Sequence, residues 1–152
     1  MSGNEEPGAE SRSADPAAAW RAIGAEHLRL EELIGDIEVA LARNEPNLRT
    51  SALAQDLQNA MLAHFEREES LYYPTLWALR PELEGNLKAL LDVHPDFRAR
   101  LAVLVETLEH GEIERAGRLL DEFSALFGDH EHAEERILAS LLPDGSAAQS
   151  DV

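Results

Sequence analysis

Two short runs carry the chemistry of this chain: His64-Phe65-Glu66-Arg67-Glu68 and His130-Glu131-His132-Ala133-Glu134. In each, a carboxylate follows a histidine by four residues, so on a helix both side chains share a face. His27 and His94 stand singly among apolar residues at helical spacing. Neutral imidazoles and ionised carboxylates are the N and O donors of transition-metal sites. Four of the first and two of the second suit iron, manganese or zinc, and iron most readily where open positions support oxygen chemistry. Two carboxylates in an apolar interior are costly unless cations compensate them. The candidate metal ligands are thus His27, His64, Glu68, His94, His130 and Glu134. With no cysteine in the chain, disulfides, thiolate zinc sites, iron–sulfur clusters and cysteine nucleophiles are excluded.

Four segments of helical periodicity must position these residues, and strand signals are missing throughout. The first is expected to open at Asp15 as N-cap and Pro16 as first helical residue, with Trp20, Ile23, His27, Leu30, Ile34, Ile37 and Leu41 inward. Asn44-Glu45-Pro46-Asn47 breaks it. A second, from Thr50 or Ser51 to just before Pro81, aligns Leu53, Leu57, Met61, His64, Glu68 and Leu71. The third, from Pro81 to Glu109, aligns Leu83, Leu87, Leu90, His94, Phe97, Leu101 and Leu104. Pro95 should kink it beside His94, and Gly111 suits the residue after its end. The fourth, 112–142, aligns Leu119, Phe123, Leu126, Phe127, His130, Glu134, Ile137 and Leu141. Short connections predict an all-α, up-down-up-down antiparallel four-helix bundle over 15–143, between disordered tails at 1–14 and 144–152.

One inward histidine falls on each helix. Counted from the connecting loops, all four lie about 15 to 18 residues along, which at ~1.5 Å per residue is one level to within about a turn. A single histidine on an apolar face is more often a hydrogen-bonded core residue. Four at one level, with two inward glutamates, point to a metal centre. The halves also echo each other, HFEREESLYYPTL at 64–76 over HEHAEERILASLL at 130–142. His110, at a helix C-terminus, and His132, on another face from His130, are expected to be solvated. Glu135 competes with Glu134 for the ligand position; Glu134 is preferred because it copies the His64/Glu68 spacing.

The chain has 30 acidic and 13 basic residues, a net charge of −17. That argues against nucleic-acid and anionic-membrane partners. The N-terminus has no signal-peptide character and no apolar run reaches membrane-spanning length, so a soluble cytoplasmic protein is expected. Glu-x-x-His, the ferritin-type di-iron motif, precedes none of the histidines, and His-Glu-x-x-His of zinc proteases is not matched at 130–134.

An inward His, then HFEREESLYYP, a lone His, and HEHAEERIL resemble the hemerythrin-like HHE cation-binding domains, over residues 16–142. The resemblance implies a non-haem centre of two iron ions, oxo- or hydroxo-bridged, held by the same six residues with Glu68 and Glu134 bridging. It implies binding of, or reaction with, dioxygen, peroxide or nitric oxide. Two departures from the oxygen carriers stand out. Arg98 occupies the place of a second histidine one turn after His94, and Glu134 and Glu135 stand where an aspartate is expected. Simple oxygen storage is thereby disfavoured against peroxide removal, nitric oxide chemistry or sensing. Whether the centre turns over is open, as is a role as iron or oxygen sensing or storage module, or as iron donor for iron–sulfur cluster repair. Tyr72 and Tyr73 are expected at a helix-end interface, with hydrogen bonding or redox relay as alternatives. Arg98 is expected either at the bound ligand or ion-paired at the surface.

Overall fold

The computed structural model describes residues 16–141, all helical or in short connections, with no strand among them. Six α-helices follow in order: α1 Pro16–Ala42, α2 Asn47–Arg67, α3 Tyr73–Leu79, α4 Glu84–Asp92, α5 His94–Glu109 and α6 Ile113–Ala139. A π-helical turn, Glu68–Tyr72, splices α2 to α3, and a 3₁₀ turn, Pro81–Leu83, leads into α4. The pieces form a four-helix bundle in which α1 packs on α2, α2 on α5, α5 on α6 and α6 on α1. No described helix is long and apolar enough to cross a membrane. The expected Asp15 cap and both tails lie outside the described residues.

The connections follow from their residues. Asn44 adopts φ 52°, a left-handed conformation asparagine tolerates, and Gly111 adopts φ 73° after α5. The Asn47 side-chain nitrogen lies close by, 2.7 Å from where a Cβ on Gly111 would stand, so the 110–112 turn runs beside the start of α2; it is the positive φ that calls for glycine. The second helix begins at Asn47, three residues before the expected start, because Pro46 already caps it with φ −56° and ψ 146°. Pro95 lies in the first turn of α5, where no donor is needed, and the helix breaks at Val93, just before His94.

Three residues expected inward are exposed: Trp20 at 37%, Leu71 at 41% and Leu126 at 37%. A helix turns once in about 3.6 residues, so Ala19 and Phe127 take the inward places beside Trp20 and Leu126. Leu71 is displaced by the π turn. Pro74 has no N–H to give the Ser70 carbonyl and its ring would press on it; the wider turn relieves this, with the Tyr73 N–H reaching Glu68 instead. The extra residue rotates everything after Glu68, turning Leu71 out and burying Tyr72 and Tyr73.

The core has two apolar parts. The larger holds Leu30, Ile37, Leu57, Met61, Phe65, Phe97, Phe123 and Phe127. The smaller holds Ile23, Tyr72, Tyr73, Leu76, Leu87, Leu90 and Leu138. The four inward histidines lie between them along every helix: His27 between Ile23 and Leu30, His64 between Met61 and Tyr72, His94 between Leu90 and Phe97, His130 between Phe127 and Leu138.

Candidate metal centre

His27, His64, His94, His130, Glu68 and Glu134 are all at most 7% exposed and meet in that layer. They form two groups whose potential ligand atoms lie within 4.8 Å of one another: His27, His64, Glu68 and Glu134 in one, Glu68, His94 and His130 in the other. Glu68 belongs to both. Its Oε2 lies 3.3 Å from His64 Nε2 and its Oε1 3.1 Å from His94 Nε2. One carboxylate thus offers an oxygen to each group. Glu134 belongs to the first group alone. Its Oε1 faces His27 Nε2 at 2.8 Å while its Oε2 accepts from the Tyr73 hydroxyl. The two carboxylates expected to bridge are therefore not equivalent. Glu134 is fully buried and the Glu135 side chain is 55% exposed, so the inward position belongs to Glu134.

Each ring's orientation has a cause. Glu26 on α1 accepts from His64 Nδ1 at 2.7 Å, and Glu69 on the π turn accepts from His94 Nδ1 at 2.7 Å. With the proton fixed on Nδ1, the Nε2 lone pair points inward, the arrangement that orients metal-binding histidines. Glu26 is itself held by Arg67 at 3.0 Å and by the Tyr72 hydroxyl. Arg98 donates to both oxygens of Glu69, at 3.0 and 2.8 Å, and lies 5.6 Å from the Phe65 ring centre. It is ion-paired at the rim, and does not reach inward. The other face of Phe65 stacks on His94 at 4.1 Å, and Phe97 meets His130 edge-on at 5.4 Å.

The residues fit a cation pair. Among the described residues, eight buried side-chain N and O atoms have no hydrogen-bond partner: both nitrogens of His27, Nε2 of His64, His94 and His130, Glu68 Oε1, Glu134 Oε1 and Glu131 Oε2. Seven of the eight are on the six proposed ligands. An orphaned buried polar atom costs about 1–3 kcal/mol, a penalty that metal coordination removes.

Without metal the layer holds protons instead. Burial, then the hydrogen bond to Glu68, pushes the Glu134 carboxyl up to about 8. Burial would also raise Glu68, but the Glu134 carboxyl and the close His64 and His94 imidazoles prevail and hold it well below the usual range. The pair shares a proton on the Glu134 side, and the Tyr73 hydroxyl, 3.1 Å from Glu68 Oε2, donates to both carboxylates. Burial opposes charge on His64, yet Glu26 and Glu68 lift it to about 10. Burial lowers His130 to about 4.

A family model described as the hemerythrin HHE cation-binding domain matches residues 18–142. The chain belongs to this family. Neither the curated proteins nor the solved structures compared with it give a match. Domains of this family bind metal cations, and the interior layer described above holds the histidine and glutamate clusters that could take one. His110 and His132 of the domain are exposed; His110 Nδ1 lies 2.8 Å from the Glu106 carbonyl one turn back. Sequence reasoning missed Glu26 and Glu69 as supports of the histidines, and held a hydrogen-bonding Tyr73 only as the alternative to a helix-end interface. A signal existed: Glu26 and Glu69 each adjoin a ligand, His27 and Glu68, while serving a histidine of another helix. Which of Tyr72 and Tyr73 would reach the inner carboxylates was not legible, because the π turn that buries both leaves no mark in the helical period.

Proposed function

We propose that this HHE domain holds a dinuclear non-haem iron centre, on His27, His64, Glu68, His94, His130 and Glu134, that binds or reacts with dioxygen, peroxide or nitric oxide. The observation that carries this reading is Glu68, with one oxygen toward each histidine pair. When bound, the two metals supply Lewis acidity and one-electron redox chemistry toward such small ligands. The chain's own contribution is positional. Glu26 and Glu69 fix His64 and His94, and the Phe65, Phe97, Phe123 and Phe127 wall keeps bulk water out and the local dielectric low. Tyr73 keeps a hydroxyl proton on Glu68 and Glu134. A cavity of about 280 Å³, lined by Glu69, Tyr73, Pro74, Trp77 and Leu87 among others, gives a small ligand a way toward the same edge. The expected up-down-up-down order and cytoplasmic setting go with this reading, the former supported by the short turns at 43–46 and 110–112.

Metal analysis tests it. Protein purified without chelators is expected to carry about two iron equivalents and a visible absorption that responds to dioxygen, peroxide or nitric oxide. His64→Ala should lose both. Well under one equivalent of iron, manganese or zinc refutes the reading.

A further inference from the structure

The centre is sealed by apolar rings, so cations need a way in. Resting on the metal reading above, we infer that the cleft between α1 and α6 is the route by which divalent cations reach it, along an acidic ladder from Glu38 through Glu31 to Glu131. The cleft measures about 270 Å³ and is lined by Glu31, Ile34, Glu38, Ser124, Gly128 and Glu131, with Phe127 at its floor. Glu38 and Glu31 are two turns apart on one face of α1, and His27 follows one turn further on that face. Glu131 lies at the inner end. It is 6% exposed, its Oε2 has no hydrogen-bond partner among the described residues, and that oxygen stands 3.4 Å from His27 Nδ1. Glu26 and Glu69 close on their histidines at 2.7 Å, whereas Glu131 does not close on His27. Glu131 thus lines the cleft with part of its side chain and sets a buried oxygen beside a ligand candidate of the first metal group.

The charge pattern sets this cleft apart. No Lys or Arg lines it, and neither Glu31 nor Glu38 takes part in an ion pair among the described residues. The cavity beside Trp77 sets Lys88 against Glu69 and Glu84, and that between α4 and α6 carries Arg136 and no carboxylate. With three carboxylates and no cationic side chain, the α1–α6 cleft draws a cation more strongly than either. Gly128 lines the cleft, and a Cβ there would meet nothing within 4 Å, so a larger side chain has room to occupy it. Oxygen-only carboxylates along the way bind divalent ions loosely and pass them to the imidazoles, which bind them more firmly.

Stopped-flow uptake of Co(II) by the metal-free full chain, followed by visible absorption, tests the route. Focused negative potential speeds cation arrival by 10-fold or more, so Glu31→Gln/Glu38→Gln should slow uptake by roughly 10-fold with an unchanged final absorbance. Gly128→Leu, which fills the cleft without altering charge and favours helix, should slow it as well. Glu106→Gln/Glu109→Gln, exposed on α5, is the charge-matched control and should stay within about twofold of wild type. Equal rates in all four proteins, with full final loading, overturn the route and leave the metal centre standing. Failure of the wild type to take up Co(II) at all overturns both.

Discussion

The carboxylates behind the histidines should each govern one metal equivalent, and Glu69→Ala is the cleanest perturbation. Glu69 accepts from His94 Nδ1 at 2.7 Å, and His94 belongs only to the group with Glu68 and His130. A hydrogen bond to an ionised partner is worth about 1.5–3 kcal/mol. The Glu69 side chain is 36% exposed, so solvent screening places its value at the lower end. With ~1.4 kcal/mol per factor of ten, the expected loss is about tenfold in affinity for one equivalent of the two. Glu26→Ala removes the matching support from His64, and Glu26 is only 20% exposed. The loss there should be larger, some tens of fold, and should fall on the other equivalent. Competition titration of Co(II) or Fe(II) against a chelator, fitted to two sites, resolves the pattern. Both variants weakening both equivalents alike, or neither, would show that the carboxylates do not act through His94 and His64 separately.

Three further outcomes are expected. Glu68→Ala removes the ligand common to both groups and should lower stoichiometry from two equivalents to one or none, read by metal analysis after gel filtration. Tyr73→Phe strips the hydroxyl from two buried carboxylates, costing the metal-free protein about 2 kcal/mol, or roughly 4–8 °C in Tm by circular dichroism. The metal-free protein should also lose stability with rising pH. Glu134 is raised to about 8 and His64 to about 10, so both bind protons more tightly folded than unfolded. Their stabilisation is complete below their ordinary values and disappears as pH climbs through about 8 and then about 10. Metal must displace the same protons, so metal affinity should rise over that window; thermal melts and titrations at pH 6 and 9 check both signs.

The helices and the inward placing of the six candidate ligands were legible because they rest on the same period. His27, His64, His94 and His130 occupy positions that an apolar residue would otherwise fill, and a 3.6-residue repeat exposes such substitutions. Glu134 over Glu135 was legible by copying the spacing of His64 and Glu68. What the period does not carry is the pairing between helices: Glu26 with His64, Glu69 with His94, Arg98 with Glu69. These depend on the rotation and rise of neighbouring helices, set by side-chain packing. The π turn lies outside the period altogether. Pro74 hinted at an interruption, but whether a proline is met by a kink, a break or a wider turn depends on which residues gain by the new register. Here the gain is Tyr73 on Glu68 and Glu134, in place of Leu71.

The two metal positions need not be alike. The first group has two imidazoles and two carboxylates, the second two imidazoles and only the shared Glu68. The first therefore offers one more negative charge and one more donor, and should fill first and hold more firmly. The second has one candidate ligand fewer, in keeping with Arg98 in place of a histidine one turn after His94, so in the proposed centre an external ligand would find room there. The surroundings divide the same way. The acidic α1–α6 cleft reaches Glu131, 3.4 Å from His27 of the first group, whereas the cavity beside Tyr73 and Trp77 abuts Glu69, which supports His94 in the second. On the proposed reading, cations and small ligands would approach opposite ends of one centre, and the carboxylate of Glu68, common to both groups, would link the events at the two.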